Sequence, residues 1–255
     1  MPRLARQKSS TDIYHLIMRG INRQTIFLDE EDAAKFIYTL IKIQKKSNLT
    51  IYAYCLMSNH VHLLIKEGNE DLGIAIKRIG ASYVYWYNLK YERCGHLFQD
   101  RYRSEPVEDD RYFLAVLRYI HQNPLQAGLV NDIASYPWSS YQEYLGKPKL
   151  IETNFVLGYF DSNKDKAIEQ FKIFHEAKEK AICLEFEDKK KLRDQEAIEL
   201  IRNVCLIEHG TEFQNLDKVK QSEYLKRLCN EGLSVRQISR ITGLSRWIIQ
   251  NDVKN

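Results

Sequence analysis

The chain has 255 residues, 44% hydrophobic and 28% charged, with a formal net charge of +4; this is enough apolar content for a packed core and too little net charge to name a partner by itself. No apolar run approaches the ~20 residues that span a bilayer, and the opening "MPRLARQKSS" lacks the apolar stretch of a signal peptide, so a cytoplasmic protein with no membrane partner is expected. Five scattered cysteines without a C-x-x-C pair exclude a disulfide framework and a zinc ribbon.

Residues 11–20, "TDIYHLIMRG", are rich in β-branched and aromatic side chains and predict a strand. Helical periodicity follows over 30–47, then strands over 50–58 and 60–67, joined by a tight turn at Ser58 and Asn59. A long helix over 69–92, a partly irregular fourth strand over 96–108 and a helix over 109–122 come next. Pro124 disfavours helical angles at Asn123, so that helix is expected to finish there. The order β-α-β-β-α-β-α predicts an α+β fold: a ferredoxin-like antiparallel sheet carrying helices on one face, followed by a C-terminal all-helical region.

Three segments are expected: a domain over 1–146, a helical linker region over 147–215, and a helix-turn-helix DNA-binding module over 216–255. In the last, Ser234 caps a helix that runs to Thr242, Gly243 makes the turn, and Ser245 caps a second helix carrying Arg246, Trp247 and Gln250. Eight Lys and Arg against three acids over 218–254 point to DNA, with Arg246 and Gln250 as candidate contacts, though a plain helical hairpin gives the same pattern.

Charge also clusters earlier. From Lys77 to Arg103 six basic residues face two acidic ones, interleaved with Tyr83, Tyr85, Trp86, Tyr87, Tyr91, Phe98 and Tyr102. Cations that neutralise phosphates beside aromatic faces that stack on unpaired bases suit single-stranded nucleic acid, while most of these aromatics also suit a helix core.

The sharpest chemical signal is "MSNHVHLLIK", 57–66. Residues two apart on a strand share a face, so His60 and His62 stand together in a way that suits a divalent metal, or two histidines hydrogen-bonded at a sheet surface. The helix "RYIHQNP", 118–124, places Tyr119 and Asn123 four apart on one face. If Asn123 lends its carbonyl oxygen to the metal, the Tyr119 hydroxyl lies one turn away. His15 is expected to be a core or sheet histidine, and His121 to point away from the Tyr119 and Asn123 face.

A strand His-hydrophobic-His followed by a helical tyrosine resembles the single-tyrosine HUH transposases. "YHLIMRGINRQTIF" (14–27), "AYCLMSNHVHLLI" (53–65), "HLFQDRYRSEPVE" (96–108) and "LRYIHQNPLQAGLV" (117–130) are similar to that family in the same order, over roughly 1–146. Asn123, four residues after the tyrosine, resembles the REP-associated tyrosine transposase branch. The resemblance implies a transposase-like nuclease and strand transferase for single-stranded DNA, acting beside hairpins of REP-like palindromes, with Tyr119 as nucleophile and a 5′-phosphotyrosine intermediate. It also implies Mg²⁺ or Mn²⁺ held by His60, His62 and Asn123, and DNA contacts at Arg19, Asn22 and Arg23. The basic residues Lys77, Arg78, Arg101 and Arg103 are further DNA candidates. A monomer is expected over a homodimer, working in the cytoplasm at the nucleoid. The rival readings are a non-catalytic DNA-binding regulator derived from a transposase, and a metal hydrolase with a water nucleophile.

Overall fold

The computed structural model describes residues 6–99, 101–146, 148–177, 183–184 and 194–254. They fall into two compact units that divide between 185 and 186.

The first unit is built on four strands: β1 (Ile13–Arg19), β2 (Thr50–Met57), β3 (His60–Lys66) and β4 (Arg103–Pro106). They form one antiparallel sheet in the order β2-β3-β1-β4. Between them run α1 (Glu30–Ser47), α2 (Leu72–Lys90) and α3 (Asp110–Gln126). The helix starts follow local chemistry: the side chains of Asp29, Asp71 and Asp109 each accept a backbone N–H from the first turn that they precede. The element order is the expected one, and the ferredoxin-like antiparallel sheet is present.

Alternation along the strands puts His15, Ile17 and Arg19 of β1 on one face with His60, His62 and Leu64 of β3, while Leu16, Met18, Leu63 and Ile65 face the other way. Helix α2, packed on α1, covers the second face, where a Cβ at Gly80 would sit 3.5 Å from Met18 Cε. Helix α3 covers the first, with the Tyr119 ring against His62. The expectation of helices on one face is therefore corrected: the histidine face is sheltered too, because a sheet with apolar residues on both sides must bury both.

Two boundaries also differ. Helix α3 continues through Pro124 to Gln126, since a proline in the last turn costs one hydrogen bond and the Ala127 N–H still reaches the Asn123 carbonyl at 2.9 Å. Regular pairing in the fourth strand covers only Arg103–Pro106, with an isolated bridge from Phe98 to Gly20 before it.

After α4 (Tyr141–Leu145) come α5 (Asn154–Leu157) and α6 (Lys164–Glu176). Leu150, Ile151, Val156, Leu157, Ala167 and Phe171 are buried in the same core as the sheet, so the expected boundary at 146 lies inside a packed unit. The link is Glu143, whose carboxylate accepts the Tyr54 hydroxyl at 2.8 Å and the N–H groups of Lys149, Leu150 and Ile151 at 2.6, 2.8 and 3.3 Å.

The second unit holds α7 (Asp194–Cys205), α8 (Lys218–Asn230), α9 (Val235–Thr242) and α10 (Arg246–Lys254). Its core joins Ala197, Ile201 and Cys205 of α7 and Phe213 to Leu225, Leu228, Ile238 and Ile249. The segment expected as a linker over 147–215 is thus divided between two cores, and the expected module at 216–255 begins too late. The signal is composition, which changes near 146, whereas the core continues.

A chain ending at 146 should fail to fold cooperatively, and one ending at 177 should keep a sharp thermal transition by circular dichroism. The shorter chain lacks five large apolar side chains of the core, at about 1.5–3 kcal/mol each, comparable with a whole domain's net stability of about 5–15 kcal/mol. Equal transitions for both would refute this extent of the unit.

Candidate active site

His60 opens β3 opposite Arg19, and His62 lies opposite Ile17. The two imidazoles share a face with ring centroids 4.9 Å apart. Nδ1 of His60 lies 2.6 Å from Asn59 Oδ1, and the Asn59 amide is oriented because its Nδ2 donates to the Arg23 carbonyl at 3.3 Å. Nδ1 of His62 lies 3.1 Å from Nε2 of His15, its diagonal neighbour across the β1–β3 pairing. In both rings Nδ1 is engaged, which makes Nε2 the nitrogen through which each would meet a cation.

Burial keeps His62 and His15 neutral. It pulls His62 well below the usual histidine range, helped by the neighbouring His15 and His60, and it lowers His15 to about 3. A neutral imidazole has a lone pair to give; an imidazolium has none.

Helix α3 brings Tyr119 to the pair. Its ring meets His62 edge-on at 5.5 Å between centroids and His15 at 5.8 Å; it is 7% exposed. One turn on, the Asn123 Nδ2 donates to the Tyr119 carbonyl at 3.2 Å, which leaves the amide oxygen as its electron-donating atom. The structure thus brings His60, His62 and Tyr119 together, with Asn123 on the same helix. Tyr112, two turns earlier, is committed elsewhere: its hydroxyl bonds Glu105 Oε2 at 2.5 Å, and burial together with that carboxylate raises its pKa.

The far side of α3 is fixed to α6. His121 Nδ1 lies 2.9 Å from His175 Nε2, and its Nε2 lies 2.8 Å from the Ser140 hydroxyl. Gln122 Nε2 donates to the carbonyls of His175 and Ala177 at 2.7 and 3.1 Å, and the Arg118 guanidinium lies over the Phe174 ring at 4.5 Å. His121 does point away from Tyr119, as expected.

The basic candidates separate. Arg19, Lys77 and Arg101 line one cavity of about 410 Å³ with Arg6, Phe98 and Tyr102, where the Arg6 guanidinium stacks 3.6 Å from the Tyr102 ring centre. Arg103 pairs with Ile17 on the histidine face. Asn22 and Arg23 are exposed in a short 3₁₀ turn with left-handed φ of 52° and 61°. Arg78 forms an ion pair with Glu70, which also accepts from Ser47, and does not line the cavity. In the second unit Arg246 and Gln250 lie exposed on α10, beside Trp247 at 71% exposure, while Ile249 is buried.

Sequence reasoning missed Asn59, the partnership of His15 with His62, and the support from α6. Asn59 was legible as the residue before His60 at a hairpin turn; the pairing of His15 depends on strand register, which no local pattern prints.

Residues 8–123 match the family described as "Transposase IS200 like". A REP-associated tyrosine transposase of Escherichia coli (strain K12) is 21% identical over 106 residues, 41% of this chain and 61% of that one. A Haemophilus influenzae protein provisionally named REP-associated tyrosine transposase is 27% identical over 101 residues, 35% of this chain and 57% of that one. The chain spans about three fifths of the length of these curated relatives. A solved structure of a REP-associated tyrosine transposase bound to a REP hairpin aligns with a TM-score of 0.50 at 16% identity, covering 60% of this chain and 90% of that one; this is a likeness of fold. Residues 8–123 are thus similar to the IS200-like transposase family, and the curated relatives the chain matches there are named REP-associated tyrosine transposases.

Proposed function

We propose that the protein is a divalent-metal-dependent single-stranded DNA endonuclease and strand transferase that works through a 5′-phosphotyrosine on Tyr119, at hairpin-forming palindromes of the REP kind. The observation that carries this reading is the contact of Tyr119 with His62, beside His60, within one chain.

The donor set fits a hard cation in part. Among the described residues no group of three His, Cys, Asp or Glu side chains is arranged to hold a metal ion, so His60 and His62 would supply nitrogens and Asn123 an amide oxygen, with water and phosphate oxygens completing a shell for Mg²⁺ or Mn²⁺. When bound, such a cation supplies positive charge that polarises the scissile phosphate. The Tyr119 oxygen then attacks phosphorus, the bond to the 3′-oxygen breaks, the phenolic proton passes through solvent to that oxygen, and the 5′-phosphate stays on the tyrosine. The freed 3′-hydroxyl can reverse the step on another end, which makes the nuclease a transferase.

A single strand would run along the cavity lined by Arg19, Lys77 and Arg101, where Phe98 offers a face for an unpaired base. The second unit, with Arg246 and Gln250 exposed on one face of α10, would act as a helix-turn-helix grip on duplex DNA. Because Tyr119 meets the histidines of its own chain, a monomer suffices. A DNA substrate would put the protein at the nucleoid; among the described residues no helix is long and apolar enough to cross a membrane.

Hairpin DNA labelled at either end, incubated with Mn²⁺ and then denatured, should leave label on the protein only from the 3′-labelled strand. Tyr119→Phe should abolish the adduct and keep DNA binding, and His60→Ala and His62→Ala should lose at least 100-fold in adduct rate (roughly 3 kcal/mol of barrier). Asn123→Ala should only slow it. An adduct in Tyr119→Phe that disappears in Tyr112→Phe would overturn the assignment, cleavage with no adduct would favour a water nucleophile, and binding with neither would favour a regulator.

Charge makes its own prediction. Lys77→Ala with Arg101→Ala should weaken single-stranded binding and flatten its salt dependence, by about 0.7 in the log–log slope for each phosphate no longer neutralised; an unchanged slope by fluorescence anisotropy would remove the cavity from the DNA path.

Deleting 186–255 should lower affinity for hairpin DNA while Mn²⁺-dependent adduct formation survives. Arg246→Ala or Gln250→Ala in the full chain should each cost about 1–3 kcal/mol of binding if it reads a base edge. Loss of the adduct from a folded, shortened protein would assign the second unit a part in the chemistry.

A further inference from the structure

His15 is wholly buried, sits on the histidine face, and has no part in the chemistry above. Its Nε2 lies 3.1 Å from Nδ1 of His62, with the rings nearly parallel at 23°. We propose that His15 is a positioning residue that accepts the Nδ1–H of His62, fixing the tautomer in which Nε2 of His62 carries a lone pair for the cation; this rests on the metal reading of the site.

A neutral imidazole has one N–H and one lone pair, so only one ring of the pair donates. If His15 donated, the hydrogen of His62 would sit on Nε2, and its other nitrogen would be occupied by His15; neither could then ligate. Ligation through Nε2 therefore requires His15 as the acceptor. His60 repeats the device with Asn59, whose oriented amide presents Oδ1 to Nδ1. Metal-binding histidines generally have the second nitrogen held in this way.

His15 is no third ligand, because its Nε2 is committed to His62. As the acceptor it carries its own hydrogen on Nδ1, an atom that is buried with no hydrogen-bond partner among the described residues. A buried polar atom without a partner is uncommon, and stability alone would favour an apolar side chain at this position. The proposed role accounts for a histidine there.

Long-range nitrogen–proton NMR correlations on the full chain, labelled with ¹⁵N-histidine, locate the proton with and without Mg²⁺. The expected result is a proton on Nδ1 of His62, with a coupling across the hydrogen bond to Nε2 of His15. His15→Phe should shift that proton to Nε2 and weaken Mn²⁺ binding, read by electron paramagnetic resonance titration, by roughly 10- to 100-fold. His15→Gln, whose amide oxygen can take the place of Nε2, should restore the Nδ1–H form and most of the affinity. A proton on Nε2 of His15 in the wild type, or a folded His15→Phe that binds Mn²⁺ as tightly, would overturn the proposal. A wild type that binds no Mn²⁺ would overturn the metal reading, while the proton position in the metal-free spectra still decides the role of His15.

Discussion

The docking of α3 between the sheet and α6 is the constraint on which the rest of the site depends. On one side the Tyr119 ring packs against His15 and His62; on the other His121, Gln122 and Arg118 engage His175, Ala177 and Phe174. A side chain presented from one helix to a strand on another element is only as well placed as that helix, and a shift of an ångström is large for any catalytic arrangement. The contacts to α6 are mostly hydrogen bonds between buried groups, which fix the helix in rotation and translation more narrowly than apolar packing does.

The matched family segment ends at 123, yet the unit that holds its tyrosine in place continues through α6. Residues 148–177 supply both Phe171, stacked on Tyr144 at 4.5 Å between centroids, and His175, which binds His121. The later helices of the first unit therefore belong to the architecture of the site, and the change of composition near 146 marks a change from sheet to helix within one core.

Much of this was legible in the sequence. The alternation in "HVHLLI" and the four-residue step from Tyr119 to Asn123 report on residues close in the chain, where strand and helix geometry are fixed by covalent structure. The same holds for α9, which Ser234 caps at its start, and for the turn after it, where Gly243 takes a φ of 75°. What was not legible depends on distant pairing. The register of β1 on β3 brings His15 to His62, Glu70 takes Arg78 out of the basic set, and α3 covers a face expected to be open. Pro124 reads as a helix stop on local grounds, but packing of α3 on both sides outweighs the one hydrogen bond it removes.

Two histidine pairs flank α3, and the difference between them shows what fixes a proton. In His121–His175 the polarity is set at one end: Nδ1 of His175 faces the Phe171 carbonyl at 2.8 Å, which can only accept, so Nε2 of His175 accepts in turn and Nδ1 of His121 donates. Nε2 of His121 then takes the Ser140 hydroxyl, and every nitrogen is satisfied. Burial holds both rings neutral, pulling His121 well below the usual range and His175 to about 3. The pair His15–His62 has no such terminal carbonyl; its chain of bonds ends on Nδ1 of His15 with no partner among the described residues. No carbonyl dictates its polarity from the core side, and in the arrangement proposed above His15 accepts, which leaves the lone pair of His62 on Nε2. A pair closed at both ends is a structural tie, whereas a pair open toward the tyrosine can hand a lone pair to whatever binds there.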